Sequence, residues 1–297
     1  YPAKPIRAIV PFAAGSATDQ IARAFGVKMS ESLGQPIVVE NRPGANGMIG
    51  ADAVAKAPPD GYTLLIGTNS TNAALKSLMK KLPYDQDTAF TPIGYMGAVP
   101  LIVAVNNDFP AKNLAEFIAY AKARPGIVTF ATASTSQRVS SEMLASMAGI
   151  QMTHVPYKSS PNAITDLIGG QVNMFTADFA VMLPQVRAGK VRALAVTATK
   201  RSSVAPEIPT VNEAGGLKDY ELIAWFATYG PAHMPRDIVM RINEAINTAA
   251  RAKDLTDRFA TIGLETSPGT PESLAQRTQA ETAKWARAIK EAGIPPE

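Results

Sequence analysis

PIGYMGAVPLIVAVN, residues 92–106, decides the fold. It is apolar, rich in strand formers, and far longer than the usual strand of about 5–6 residues. Upstream of it, strand and helix signals alternate. IRAIVPF precedes a helical repeat from about Thr18 to Leu33, carried by Ile21, Phe25 and Met29 and stopped by Gly34. PIVVENR leads through a glycine-rich turn to a helix through Ala53, and TLLIGT leads to another near Ala73 to Met79. Downstream the alternation starts afresh. Asn113 and Glu116 have capping-box spacing before Phe117 and Ile118, and Pro125-Gly126 stops that helix. VTFATA, MTHVPYK, VNMFTAD and VRALAVTAT follow as strands with helices between them, one begun by Ser160-Pro161. A second long apolar run, AWFATYGPA at 224–232, closes this unit. Helices dominate after it, marked by Ile238, Ile242 and Ile246, then by Trp285 and Ile289.

Two long extended segments therefore bracket a complete α/β unit. The simplest chain path inserts that unit, 104–224, into a first lobe built from 1–103 and 225–297. Each lobe is then a mostly parallel sheet flanked by helices, and two strands cross between the lobes as a hinge. Ligands in open α/β sheets sit beyond the carboxyl ends of strands, which puts the expected site in the cleft between lobes. No repeat of fixed period and no low-complexity tract is present.

Composition narrows the class. The chain has 297 residues, 46% hydrophobic and 18% charged, with a net charge of +4. That balance is mild, and no basic run is interleaved with aromatics, so nucleic acid is not an expected partner. The absence of cysteine excludes disulfides, thiol catalysis and thiolate metal sites. The chain opens at Tyr1 rather than Met, which fits an exported protein whose leader has been removed, or a trimmed chain. The longest apolar runs, such as Leu101 to Val105, fall far short of the roughly 18 residues that span a bilayer.

Four junctions between strand and helix share one character: AAGSATD at 13–19, GTNSTN at 67–72, ATASTSQ at 131–137 and TADFA at 176–180. The first three are dense in Ser, Thr, Asn and Gly. Ser16 with Asp19, and Ser134 with Gln137, have capping-box spacing. Small residues let a ligand approach the backbone, and free N–H groups at a helix start cradle an anion. One such junction is ordinary helix capping; four from both lobes point to a shared anion site.

Other signals are weaker. There is no Walker phosphate loop. Gly44, Gly47 and Gly50 in PGANGMIG have the wrong spacing for a dinucleotide fingerprint, and tight helix packing explains them. A nucleotide-dependent enzyme using that turn stays the alternative from another class. His154 and His233 lie far apart, with no HExxH, no GxSxG and no metal-ligand spacing. Arg138 and Lys158 are the cations nearest the polar junctions. Asp178 is the odd residue: a carboxylate beside an anion cradle repels its ligand unless it caps a helix, turns away or meets an amine. Capping is the default expectation. Phe12, Tyr157, Phe175 and Phe179 either flank a ligand ring or pack in the core.

IRAIVPFAAGSATDQIAR, VVENRPGANGMIGADAVAKAPPDGYTLLIGT, KLPYD with TPIG, HVPYKSSPNAITDLIGGQVNMF, LPQVRAGKVRALAVT and RSSVAPEIPTVNEAGG together resemble the Bug family. These are the TctC-like periplasmic solute-binding proteins of tripartite tricarboxylate transporters. The match runs from the N-terminus through about Pro235, with weaker motifs in the last helices. The resemblance implies a type II periplasmic-binding-protein fold that closes on a small organic acid, foremost a dicarboxylate. It implies a monomer with neither enzymatic activity nor cofactor nor metal. The partner is either a membrane permease or a sensor kinase. On this resemblance one carboxylate is held by Ala14, Gly15, Ser16 and Ala17, with Thr68 and Asn69 beside them and Phe12 at the strand end. The second lobe contributes Ser134, Thr135, Ser136, Arg138, Ala177 and Asp178. The chain departs from the family pattern at Gly15-Ser16, Arg138, Ser159 and Ala232-His233-Met234-Pro235, changes that bear on ligand identity.

Overall fold

The computed structural model describes residues 1–296. The chain runs through β1 (Ile6–Val10), α1 (Ala17–Leu33), β2 (Ile37–Asn41), α2 (Met48–Ala55), β3 (Thr63–Thr68), α3 (Leu75–Leu78) and the long β4 (Phe90–Asn106). The inserted part holds α4 (Leu114–Ala123), β5 (Thr129–Thr132), α5 (Thr135–Ala148), β6 (Thr153–Pro156), α6 (Ser160–Ile168), β7 (Met174–Asp178), α7 (Phe179–Arg187), β8 (Val191–Val196) and α8 (Val211–Gly215). The chain returns through β9 (Ile223–Pro231) to α9 (Arg236–Arg251), α10 (Lys253–Ala260) and α11 (Pro271–Glu291).

The strand order is β2-β1-β3-β9-β4-β7-β5-β6, with β8 also on β4. β4 belongs to both lobes. Phe90 to Pro100 pair antiparallel with β9, while Leu101 to Val105 pair with β7 and Ile102 to Asn106 with β8. The partner change falls between Pro100 and Leu101. Within each lobe the outer strands are parallel: β1 with β2 and β3 in the first, β5 with β6 and β7 in the second. The fold is thus α/β and two-lobed, its sheet continuous through the crossing strand.

Thr197 fastens the crossing. Fully buried, its hydroxyl accepts the Leu101 N–H at 2.8 Å and donates to the Leu222 carbonyl at 2.6 Å. Its own N–H donates to the Leu101 carbonyl, and its carbonyl accepts from Leu222. One threonine therefore ties β4 to the start of β9 where both pass between lobes.

The first lobe's core gathers Ile9, Phe25, Leu65, Ile242 and Phe259, with Phe25 stacked on Phe259 at 5.7 Å. A second core in the inserted unit centres on Phe117, Phe130, Leu194 and Tyr220. Gly50 shows why the glycine-rich turn looks as it does. A Cβ there would stand 2.8 Å from Pro11 Cα and 2.9 Å from the Arg42 carbonyl. The turn serves close packing of α2 on the strand ends. Among the described residues, no helix is long and apolar enough to cross a membrane.

Candidate functional site

The polar junctions converge. A cleft opens between the lobes, walled by residues of both, the kind of place where small-molecule sites lie. The first lobe lines it with Phe12, Ala13, Ser16, Ala17 and Thr18, then with Thr68, Asn69 and Ser70. The second lobe brings Ala133, Ser134, Ser136 and Gln137, then Lys158, Ser159, Ser160 and Asp178; β9 adds Ala224 and Phe226. All four expected junctions contribute, and the start of α6 makes a fifth.

Local bonding decides which backbone groups face the cleft. Ser16 caps α1, accepting the Asp19 N–H at 3.3 Å. Asp19 reaches back to the Gly15 N–H at 3.0 Å rather than to the cap residue itself. The N–H groups of Ala17 and Thr18, in the first turn, have no helical carbonyl to reach, and both residues line the cleft. Asp19 is further held by Arg23 at 3.0 Å and Asn41 at 2.9 Å. Burial pushes its carboxyl up, but the bonds from Arg23, Gly15 and Asn41 and the Arg23 charge outweigh that and leave it below the usual range.

At β3 the chain enters a wide π-type turn, Ser70–Ala74. Thr71 takes the Thr68 N–H at 3.0 Å and bonds Asn72 at 2.7 Å. Thr68 Oγ1 and Asn69 Nδ2, 4% and 1% exposed as residues, have no hydrogen-bond partner. Buried polar groups are paired as a rule, so these two atoms at the cleft wall are set for a ligand or water.

In the second lobe Ser134 occupies the N-cap of α5 without capping it; its hydroxyl meets Ser136 at 3.1 Å. Gln137 reaches one residue past the cap, accepting the Ala133 N–H at 2.7 Å rather than that of Ser134, and donates to Ser160 at 3.0 Å. That bond ties the α5 start to the α6 start. Asp178 stands at the N-cap of α7, but its carboxylate does not cap the helix. It turns into the cleft instead, bonded by Gln137 and by its own N–H, and burial pushes it up to about 6.

The remaining expected residues lie off the lining. Ala14 and Gly15 are exposed at the cleft mouth, where a Cβ on Gly15 would touch Pro161 of the other lobe at 3.4 Å. Thr135 is buried beneath the α5 start. Ala177 pairs with Ile102, and strand alternation turns it to the face opposite Asp178. Arg138 sits one position past the α5 cap turn, with its charge acting on Glu142. Of the two cations, Lys158 lines the cleft. Phe175 and Phe179 are core residues, and Tyr157 donates to Asp166 at 2.7 Å. His154 meets Thr132 at 2.6 Å within the sheet, and His233 lies exposed in a turn. Ser160 and Phe226 were not expected at the cleft, and Gln137 was expected only as part of the 131–137 junction. Gln137 had a capping-box signal; Phe226 sits in a run that reads as core.

The model of the tripartite tricarboxylate transporter family receptor matches residues 21–294. The chain belongs to that family. The receptor is 36% identical to BugT of Bordetella pertussis over 99% of its own length and 90% of that protein. Its structure is similar to that of an R. palustris protein with adipate, at a TM-score of 0.97 and 34% identity over all of both chains. It is also similar to MatC from Rhodopseudomonas palustris with bound malate, at 0.92 and 33% identity over 97% of this chain and 100% of that one. It is similar as well to the periplasmic binding protein BugD, at a TM-score of 0.95 and 32% identity over all of both chains; the receptor is a solute-binding protein, not an enzyme.

Proposed function

We propose that the receptor captures a small organic acid, foremost a dicarboxylate, in its cleft and presents it to the membrane permease of a tripartite transporter. It works as a monomer in the periplasm, with no cofactor. The observation that carries this reading is the convergence of helix starts from both lobes on one cleft, with Thr68 Oγ1 and Asn69 Nδ2 left for a ligand. The first lobe, 1–103 with 225–297, fixes one carboxylate through the Ala17 and Thr18 N–H groups, Ser16, Thr68 and Asn69. The second lobe, 104–224, brings Ser134, Ser136, Ser160, Lys158 and Asp178 to the other end. Helix dipoles favour negative charge at such starts, and N–H bonds to a carboxylate are about twice as strong as neutral ones. Binding shifts the population toward the closed form. The acids held by similar proteins, adipate and malate, support the class.

A thermal-shift screen on refolded, ligand-stripped protein tests the reading. The panel holds straight-chain dicarboxylates, citrate, aspartate, glutamate, aromatic acids, sugars and NAD. A ligand at 100 times its Kd adds about 2.7 kcal/mol of stability. A shift confined to organic acids is expected. A shift with NAD and none with any acid would overturn the reading.

A further inference from the structure

Lys158 and Asp178 are the charged residues among those that line the cleft; the others are neutral. They differ in setting. Lys158 is exposed on the turn between β6 and α6. Asp178 is 8% exposed, at the end of β7 beside Leu101 of β4. Its carboxylate is bonded by Gln137 from α5 and by its own N–H, both uncharged. Arg138 and Glu142 lie further along α5, the Arg138 charge acting on Glu142. The first lobe and β9 face the cleft with neutral residues only. A second carboxylate arriving here meets a carboxylate whose surroundings are mostly neutral dipoles.

Two carboxylates in one water-poor site do not both stay ionised; one of them takes a proton. A carboxylic acid bonded to a carboxylate is a short, charge-assisted bond of about 2.5–2.7 Å. We infer that Asp178 takes up one proton from solvent as a dicarboxylate binds, and donates it in an O–H···O bond to the ligand's far carboxylate. Asp178 then sets specificity for an acid with a second carboxylate end. This rests on the organic-acid reading above. Burial already lifts this carboxyl to about 6, and the charge of an arriving carboxylate pushes it further in the same direction. A ligand ammonium would do the opposite and keep Asp178 ionised. A neutral far end would leave the proton balance untouched.

Calorimetric titration at pH 7.5, in two buffers of widely different ionisation enthalpy, counts the protons. The probes are adipate, malate and aspartate, and the proteins are the wild type and Asp178→Asn. The wild type is expected to take up nearly one proton per dicarboxylate, with affinity falling about tenfold per pH unit above pH 7. Asp178→Asn, which keeps the shape and a donor, is expected to bind the dicarboxylates with no uptake and a flat pH profile. Dicarboxylate binding to the wild type without uptake would overturn the inference and leave the organic-acid reading standing. So would uptake that persists in Asp178→Asn, or a preference for aspartate with no uptake. Binding of no acid at all would overturn both.

Discussion

Thr68 and Asn69 are small polar residues kept out of water with one atom each unpaired. A buried polar atom without a partner costs about 1–3 kcal/mol. Thr68→Val should therefore leave the ligand-free receptor as stable as the wild type, or about 1 kcal/mol more stable, yet weaken acid binding by about tenfold. Urea unfolding read beside calorimetry checks this; a loss of stability with unchanged binding would assign Thr68 to the scaffold. The character of both residues was legible in GTNSTN. Which atom stays free was not, because that depends on Thr71 taking the Thr68 N–H in an irregular turn. Asp19 makes a second prediction. Its folded pKa is lowered, so its contribution is present above the unfolded value and is lost as pH falls through the folded one. Asp19→Asn should be less stable than wild type near neutral pH by about 1.5–3 kcal/mol, the worth of charged hydrogen bonds. The two melting curves should converge in acid.

At the level of elements, the helix starts matter through what faces them. Gly15 has a φ of +81°, and a Cβ on it would press toward Pro161 at the start of α6. Gly15→Val should thus act twice: it strains the turn by more than about 1 kcal/mol, and it holds the lobes apart. Its binding defect should come with slowed or incomplete closure, while Gly15→Ala falls between the two; stopped-flow fluorescence measures this. Thr197 is the counterpart at the hinge. Thr197→Val leaves the Leu101 N–H unpaired and should destabilise by about 1–3 kcal/mol, with Thr197→Ser restoring most of it. The polar strand ends were legible because Ser, Thr, Asn and Gly follow apolar runs at each of them. The crossing was legible only as two long extended segments. That β9 lies on β3 and β4, and that Thr197 pins its entry, are pairings between residues far apart in the chain. Local pattern carries no record of them. The same holds for Arg138 and Asp178: spacing placed both at helix starts, and packing alone turned Asp178 inward.

For the molecule as a whole, closure is the functional coordinate. The nearness of Gly15 to Pro161 puts the two lobes in contact distance across the cleft mouth. The two tryptophans lie behind the cleft, near the crossing: Trp225 and Trp285 both donate to Glu281 Oε2 at 3.0 Å, Trp225 on β9 between the cleft residues Ala224 and Phe226 and Trp285 on α11 beside Leu222 and Met143. A bound dicarboxylate should shift tryptophan emission and reduce the radius of gyration in solution scattering, in the same concentration range. A binding isotherm with no contraction would argue against lobe closure. The most direct test is a crystal structure with the dicarboxylate that raises the melting temperature most. One carboxylate is expected on the Ala17 and Thr18 N–H groups beside Thr68 and Asn69, and the other toward Asp178. An acid seated elsewhere, such as the groove between α11 and the start of β4 lined by Gln86, Phe90 and Thr278, would contradict the account.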